Sequence, residues 1–204
     1  WPGLVLWGAS VPEGTFHPGE ELTVSLDWTA ERDLQQDLNV QFALRGQTQW
    51  DEPLAAYPTS RWSAGELIHA LYDLRLPADL PSGGHLLTVC VYPRGTAGGC
   101  GASIELGHLE VVAREHRFSP PAEMHPVADA AFGPGIHLLG YSLEPAEPRP
   151  GSTLVVTLYW QARETPQDAY NVFVHLADAQ GWVWAQWDQV PGAGEAPTPG
   201  WLPG

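Results

Sequence analysis

The densest run of side chains suited to chemistry lies between Tyr159 and Asp188. Phe173 and His175 stand two apart, as do Trp182 and Trp184, which on a strand puts each pair on one face. Trp187 follows, and Asn171, Gln186 and Asp188 bring amide and carboxylate groups among the rings. Flat rings of this kind stack on sugar rings while neighbouring polar groups bond hydroxyls. The plainer reading, which comes first, is that the rings are buried against the linker, another domain or further strands; sugar binding comes second and a contact with another subunit third. Tyr159, Asn171, Phe173, His175, Trp182, Trp184, Gln186, Trp187 and Asp188 are therefore the candidate ligand or partner surface.

Other chemistry is thinner. Cys90 and Cys100 flank the turn-rich segment 92–99, and a hairpin there sets them opposite one another. A disulfide is expected, with two unlinked thiols as the alternative, and it would place the chain outside the cytoplasm. Glu31, Asp33, Gln35 and Asp37 form the densest acidic loop, and Glu164 and Asp168 lie at the corresponding later bend. Without an Asp-x-Asp-x-Asp-Gly loop these read as solvated turns rather than a calcium site. His108, His116 and His125 are spaced eight and nine apart, lack the close pairs of a zinc site, and read as surface histidines. No metal or other cofactor is expected. There is no Gly-x-Ser-x-Gly elbow, no His-Glu-x-x-His and no phosphate-cradling loop between strand and helix, so no catalytic residue is assigned.

The elements that must position these residues are strands, and they occur twice. Pro18-Gly19-Glu20-Glu21-Leu22-Thr23-Val24-Ser25-Leu26-Asp27-Trp28 returns 132 residues later as Pro150-Gly151-Ser152-Thr153-Leu154-Val155-Val156-Thr157-Leu158-Tyr159-Trp160. Each is a Pro-Gly turn followed by period-2 alternation, the pattern of a strand with one buried face. The same offset carries Leu6 onto Leu138, Gly8 onto Gly140, Val40 onto Val172, Leu44 onto Leu176 and Trp50 onto Trp182. It also turns Gln41, Ala43, Glu52 and Ala55 into Phe173, His175, Trp184 and Trp187, aromatic character the first copy lacks. Strands are expected near 4–10, 21–29, 38–45, 48–53, 67–75, 85–92, 100–105 and 107–113. This predicts an all-β protein of two tandem antiparallel β-sandwiches, immunoglobulin-like or jelly-roll. The domains are 1–113, a Pro-rich linker 114–127, and 128–204, beginning with a short strand at Ala128 to Phe132. The second copy ends at Gly204, matching Gly65, so its C-terminal strands are missing. A fragment, or strands supplied by a neighbouring chain, would account for that, and Trp1 in place of an initiator Met fits a processed or excised piece.

Acidic residues outnumber basic ones 24 to 9, for a net charge of −15, and every basic residue is Arg. Such a surface repels nucleic acid and anionic membrane, and the absence of Lys excludes Schiff-base chemistry. No window has the roughly 18 continuous apolar residues of a membrane helix, so no direct membrane insertion is expected.

Phe132-Gly133-Pro134-Gly135-Ile136-His137-Leu138-Leu139-Gly140-Tyr141, Val172-Phe173-Val174-His175-Leu176 and Ala185-Gln186-Trp187-Asp188 resemble a β-sandwich module of large surface proteins of Chloroflexota-type bacteria. The likeness extends to Pro-Thr-x-x-Trp-x-x-Gly-Glu at Pro58 to Glu66 and Leu-Pro-x-x-Leu-Pro-x-Gly at Leu76 to Gly83. That module is repeated in tandem and also forms extracytoplasmic C-terminal appendages of membrane proteins similar to glycosyltransferases. The resemblance implies a sandwich fold and an extracytoplasmic location, with no catalytic residues to carry over. The expected function is a non-catalytic interaction or assembly module of a cell-envelope or surface protein. Its partners would be other protein chains or the remainder of a larger chain. The alternative is a carbohydrate-recognition module, its partner polysaccharide, serving an envelope glycosyltransferase or a glycan-degrading system.

Overall fold

The computed structural model describes residues 1–44, 47–96, 100–133 and 135–204, the side chains of 47–49 and 129 excepted. Arg45 at the end of an expected strand, residues 97–99 of the loop between the cysteines, and Pro134 of the quoted motif lie outside them. The protein is all-β, with three single-turn 3-10 segments among the described residues. It divides into two compact units, the first made of Trp1–Phe16, Glu21–Leu76 and Pro81–Val112, the second of His17–Glu20, Pro77–Leu80 and Ala113–Gly204.

The first unit is a two-sheet sandwich. One sheet orders β1 (Leu4–Ser10), β3 (Glu21–Ala30) and β6 (Leu67–Arg75); the other orders β2 (Thr15–Phe16), β8 (Ile104–Val111), β7 (Gly83–Pro93), β4 (Leu38–Leu44) and β5 (Gln47–Pro53). All pairings are antiparallel except the two-residue β2, which runs parallel to β8. The chain crosses between the sheets from β1 to β2, β2 to β3, β3 to β4, β5 to β6 and β6 to β7, while β4–β5 and β7–β8 are hairpins within one sheet, the immunoglobulin-like arrangement rather than the jelly roll. The alternation read from sequence is the reason it closes. Leu22, Val24, Leu26 and Trp28 of β3 and Leu38, Val40, Phe42 and Leu44 of β4 are all buried, and Phe42 meets Tyr72 of the opposite sheet edge-on at 4.9 Å. Two details differ from the sequence reading. In place of the two strands expected at 100–105 and 107–113 there is one, β8, whose ladder with β7 skips Leu106 between Glu105 and Gly107, and Thr15–Phe16 is a strand too short to show a period. Cys90 on β7 is bonded to Cys100, ten residues on, with Cα atoms 5.7 Å apart.

The second unit has a sheet of β9 (His125–Phe132), β10 (Ile136–Glu144) and β11 (Val155–Ala162) and a separate hairpin of β12 (Val172–Ala177) and β13 (Val183–Gln189). β9 takes in 125–127, which the sequence reading places in the linker; Pro126 is tolerated because β9 is an edge strand.

Local architecture recurs between the units. The β1 ladder skips Trp7 between Leu6 and Gly8, and the β10 ladder skips Leu139 between Leu138 and Gly140. Thr59 is buried, accepts from Leu38 N–H at 2.9 Å and donates to Gln36 C=O at 3.0 Å. Thr198 does the same with Tyr170 N–H at 3.0 Å and Asp168 C=O at 2.7 Å. The Trp62 indole N–H donates to Tyr57 C=O and that of Trp201 to Ala196 C=O. The Pro-Thr-x-x-Trp motif therefore has a local purpose: its Thr pins the chain entering a strand, and its Trp closes the 3-10 turn behind it.

Candidate functional site

The residues expected to form one surface are divided by the strand register. β12 pairs with β13 so that Phe173 faces Asp188, Val174 faces Trp187 and His175 faces Gln186. In the first unit the residue opposite Phe42 is Trp50, and Phe42 corresponds to Val174. Trp50 thus corresponds to Trp187, not Trp182, and Glu52, opposite Val40, corresponds to Gln189, not Trp184. The turn 178–182 displaces the count by five residues, which constant-offset arithmetic cannot register.

Phe173, His175, Gln186 and Asp188 do come together on the outer face. The Phe173 and His175 rings sit edge-to-face at 6.4 Å, and His175 Nε2 lies 3.6 Å from Asp188 Oδ1. Trp187 lies on the inner face, 51% exposed. Trp182 precedes β13, and Trp184, 75% exposed, sits where the ladder skips from Ala185 to Val183. The Trp184 indole N–H donates to Asp178 Oδ2 at 3.0 Å, while Asp178 Oδ1 accepts from the Gln180 and Trp182 amides. Those bonds, Trp184's foremost, hold the Asp178 carboxyl below the usual range. Asn171 is exposed just before β12. Tyr159 is on the other sheet, its hydroxyl 3.3 Å from Ser142 Oγ. No single aromatic platform is assembled from these nine residues.

Among the described residues, the second unit leaves β11 and β12 each without a strand on one side and its inner face half covered. In the first unit β3 has β1 on one side and β6 on the other, and β4 lies between β5 and β7. Among the described residues the equivalents β11 and β12 are edge strands, each paired with a strand on one side only. Leu44, 2% exposed, corresponds to Leu176, 56% exposed, and the buried core contracts to Ile136, Ala162 and Trp201, with Trp160 against them. A cavity of about 520 Å³ is walled by Arg114, Phe118, Trp201 and, from β11, Tyr159 and Trp160. Burial there draws the Arg114 guanidinium below its usual range, and burial followed by the charge of Arg114 does the same to His116.

The acidic loop spends its carboxylates on backbone: Asp33 Oδ1 accepts from Ala64 N–H and Asp37 Oδ1 from Ser60 N–H, the bonds to Ser60 lowering the Asp37 carboxyl. Among the described residues no three His, Cys, Asp or Glu side chains gather as metal ligands, and no helix is long and apolar enough to cross a membrane.

Sequence reasoning passed over a second surface, on the first unit, where Trp7, Asp27 and Leu67 line an open groove of about 760 Å³. The one available signal was a Trp out of phase with its strand.

No model of a known protein family matches the chain, and no curated protein does. Among solved structures it is similar to a Niemann-Pick type C2 protein from Japanese carpenter ant, with a TM-score of 0.34 and 7% identity over 53% of this chain and 91% of that one. Likeness of that degree carries no argument about function.

Proposed function

We propose that the protein is a non-catalytic interaction or assembly module acting outside the cytoplasm, whose second unit pairs along β11 and β12 with extended strands from another protein chain or from the remainder of a larger chain. The observation that carries this is the contrast between the units. At the positions where β6 and β7 complete the first sandwich, no strand among the described residues pairs with β11 or β12, and Leu176 and Trp187 are exposed. Free edges beside an uncovered apolar face are templates for strand addition, in which main-chain bonds supply affinity and alternate side chains supply specificity. The Cys90–Cys100 disulfide supports the location, since such bonds persist in oxidising compartments. Membership in a larger envelope or surface protein of the kind the motifs resemble is part of the same proposal.

Hydrogen exchange on the chain, at a dilution where native mass shows a monomer, tests it. Amides of β3 and β4 should exchange slowly throughout and those on the free sides of β11 and β12 quickly. A peptide with the sequence of β7 should slow β12 and one with the sequence of β6 should slow β11. If the monomer already protects β11 and β12 as well as β3 and β4, or neither peptide alters them, strand addition is wrong.

A further inference from the structure

A surface distinct from the strand-accepting edges lies on the first unit, on the outer face of the β1-β3-β6 sheet. Its floor is β3, its walls are the flanking strands β1 and β6, and its volume is about 760 Å³. The walls are apolar and opposed: Trp7, 73% exposed, on β1 and the exposed Leu67 on β6. Two strand spacings separate them by about 10 Å. The floor is polar, with Asp27 and Thr29, and Glu31 closes one end.

The backbone is shaped to present Trp7. The β1 ladder passes from Leu6 opposite Trp28 to Gly8 opposite Asp27, leaving Trp7 as the extra residue of a bulge on an edge strand, a device that re-aims a side chain. Gly8 then keeps the carboxylate uncovered, because a Cβ there would lie 3.2 Å from Asp27 Oδ2. The other oxygen, Oδ1, is held by His69 Nδ1 at 2.7 Å, which orients the carboxylate and leaves Oδ2 toward the groove. Thr29 donates its hydroxyl proton to Glu66 C=O at 2.8 Å, so toward a ligand it acts as an acceptor. The second unit keeps the bulge but places Leu139 at the skipped position and Tyr159 opposite Gly140, so these groups belong to the first unit alone.

We infer that this groove is a binding site for a neutral pyranose ring of a polysaccharide, stacked on Trp7 and hydrogen-bonded through its hydroxyls to Asp27. An apolar wall facing a floor of acceptors matches a ring whose faces are C–H and whose rim is O–H. Among the described residues no basic side chain lines the groove, so an anionic sugar finds no counter-charge there. A cationic peptide is the less suited occupant: Asp27, the one floor carboxylate, is already engaged by His69, and Leu67 opposes Trp7.

The test uses the full chain with cellohexaose, laminarihexaose, xylohexaose and mannohexaose, and hexa-arginine as the cationic competitor, followed by calorimetry and tryptophan fluorescence. At least one glycan should bind, Trp7→Ala should weaken it about tenfold, the scale of one lost stacking contact, and Asp27→Asn should weaken it severalfold. Trp184→Ala should leave binding unchanged, which separates this groove from the hairpin of the second unit. Trp7 is exposed, so an unaltered melting temperature certifies that Trp7→Ala is folded. Absence of binding by all four glycans, binding that survives Trp7→Ala, or Trp7-dependent binding of hexa-arginine alone would each overturn the inference. So would a Trp7-dependent change in the native mass, which would make this face a subunit contact.

Discussion

Replacing Thr59 with Val removes a hydroxyl and almost no volume, so it isolates the bonds that this residue makes at the entrance to β4. Thr59 Oγ1 accepts from Leu38 N–H and donates to Gln36 C=O. The two losses are unequal. Leu38 is buried, so its amide has nowhere else to bond, whereas Gln36 is exposed and its carbonyl turns to water. A buried unpaired donor costs about 1–3 kcal/mol and a solvated acceptor little, which puts Thr59→Val near 2 kcal/mol. For a unit of this size that is a drop of roughly 10 °C in melting temperature. Thr59→Ser keeps the hydroxyl and deletes one methyl, for about 1 kcal/mol. Calorimetry on both variants, with hydrogen exchange at the Leu38 amide, reads the difference. In the second unit Tyr170 is exposed, so Thr198→Val should cost about half as much. A Thr59→Val variant no less stable than Thr59→Ser, or one that keeps the Leu38 amide protected, would refute the reasoning.

Replacing both Cys90 and Cys100 with Ala should destabilise the first unit by roughly 3 kcal/mol, the chain-entropy value for a closed loop of about ten residues; urea unfolding of oxidised and alanine forms checks it, and equal midpoints would contradict it. Burial pushes the Tyr72 phenol up to about 12. Its folded value lies above the unfolded one, near 10, so its contribution is complete below about pH 10 and disappears as the pH rises through 12. The difference in stability between the native chain and Tyr72→Phe should therefore shrink by about 3 kcal/mol across that window, read by urea unfolding at stepped pH; a difference that stays constant would mean the phenol ionises freely.

Much of the fold was legible because it is written at short range. Period-2 alternation in Leu22 to Trp28 and Leu38 to Leu44 marks strands with one buried face, and the 132-residue offset shows the pattern twice. The cysteines flanking a turn-rich loop pointed to their bond for the same reason. The site was less legible. Phe173 and His175 share a face because alternation within one strand requires it. Trp184 and Trp187 do not join them, because cross-strand register depends on the length of the 178–182 turn and on a bulge, and composition is silent on both.

The sequence by itself determined that the protein is all-β, acidic and suited to a disulfide, and it carries one strand pattern at an offset of 132 residues, since each follows from residue type and near-neighbour spacing. Only the tertiary structure decided which of the described strands lie at sheet edges, that Trp50 answers to Trp187, and that Trp7, skipped by its ladder, lines a groove with Asp27. Those outcomes depend on hydrogen bonds between strands far apart in the chain, and one skipped residue in such a ladder redirects a side chain without leaving a mark in the pattern.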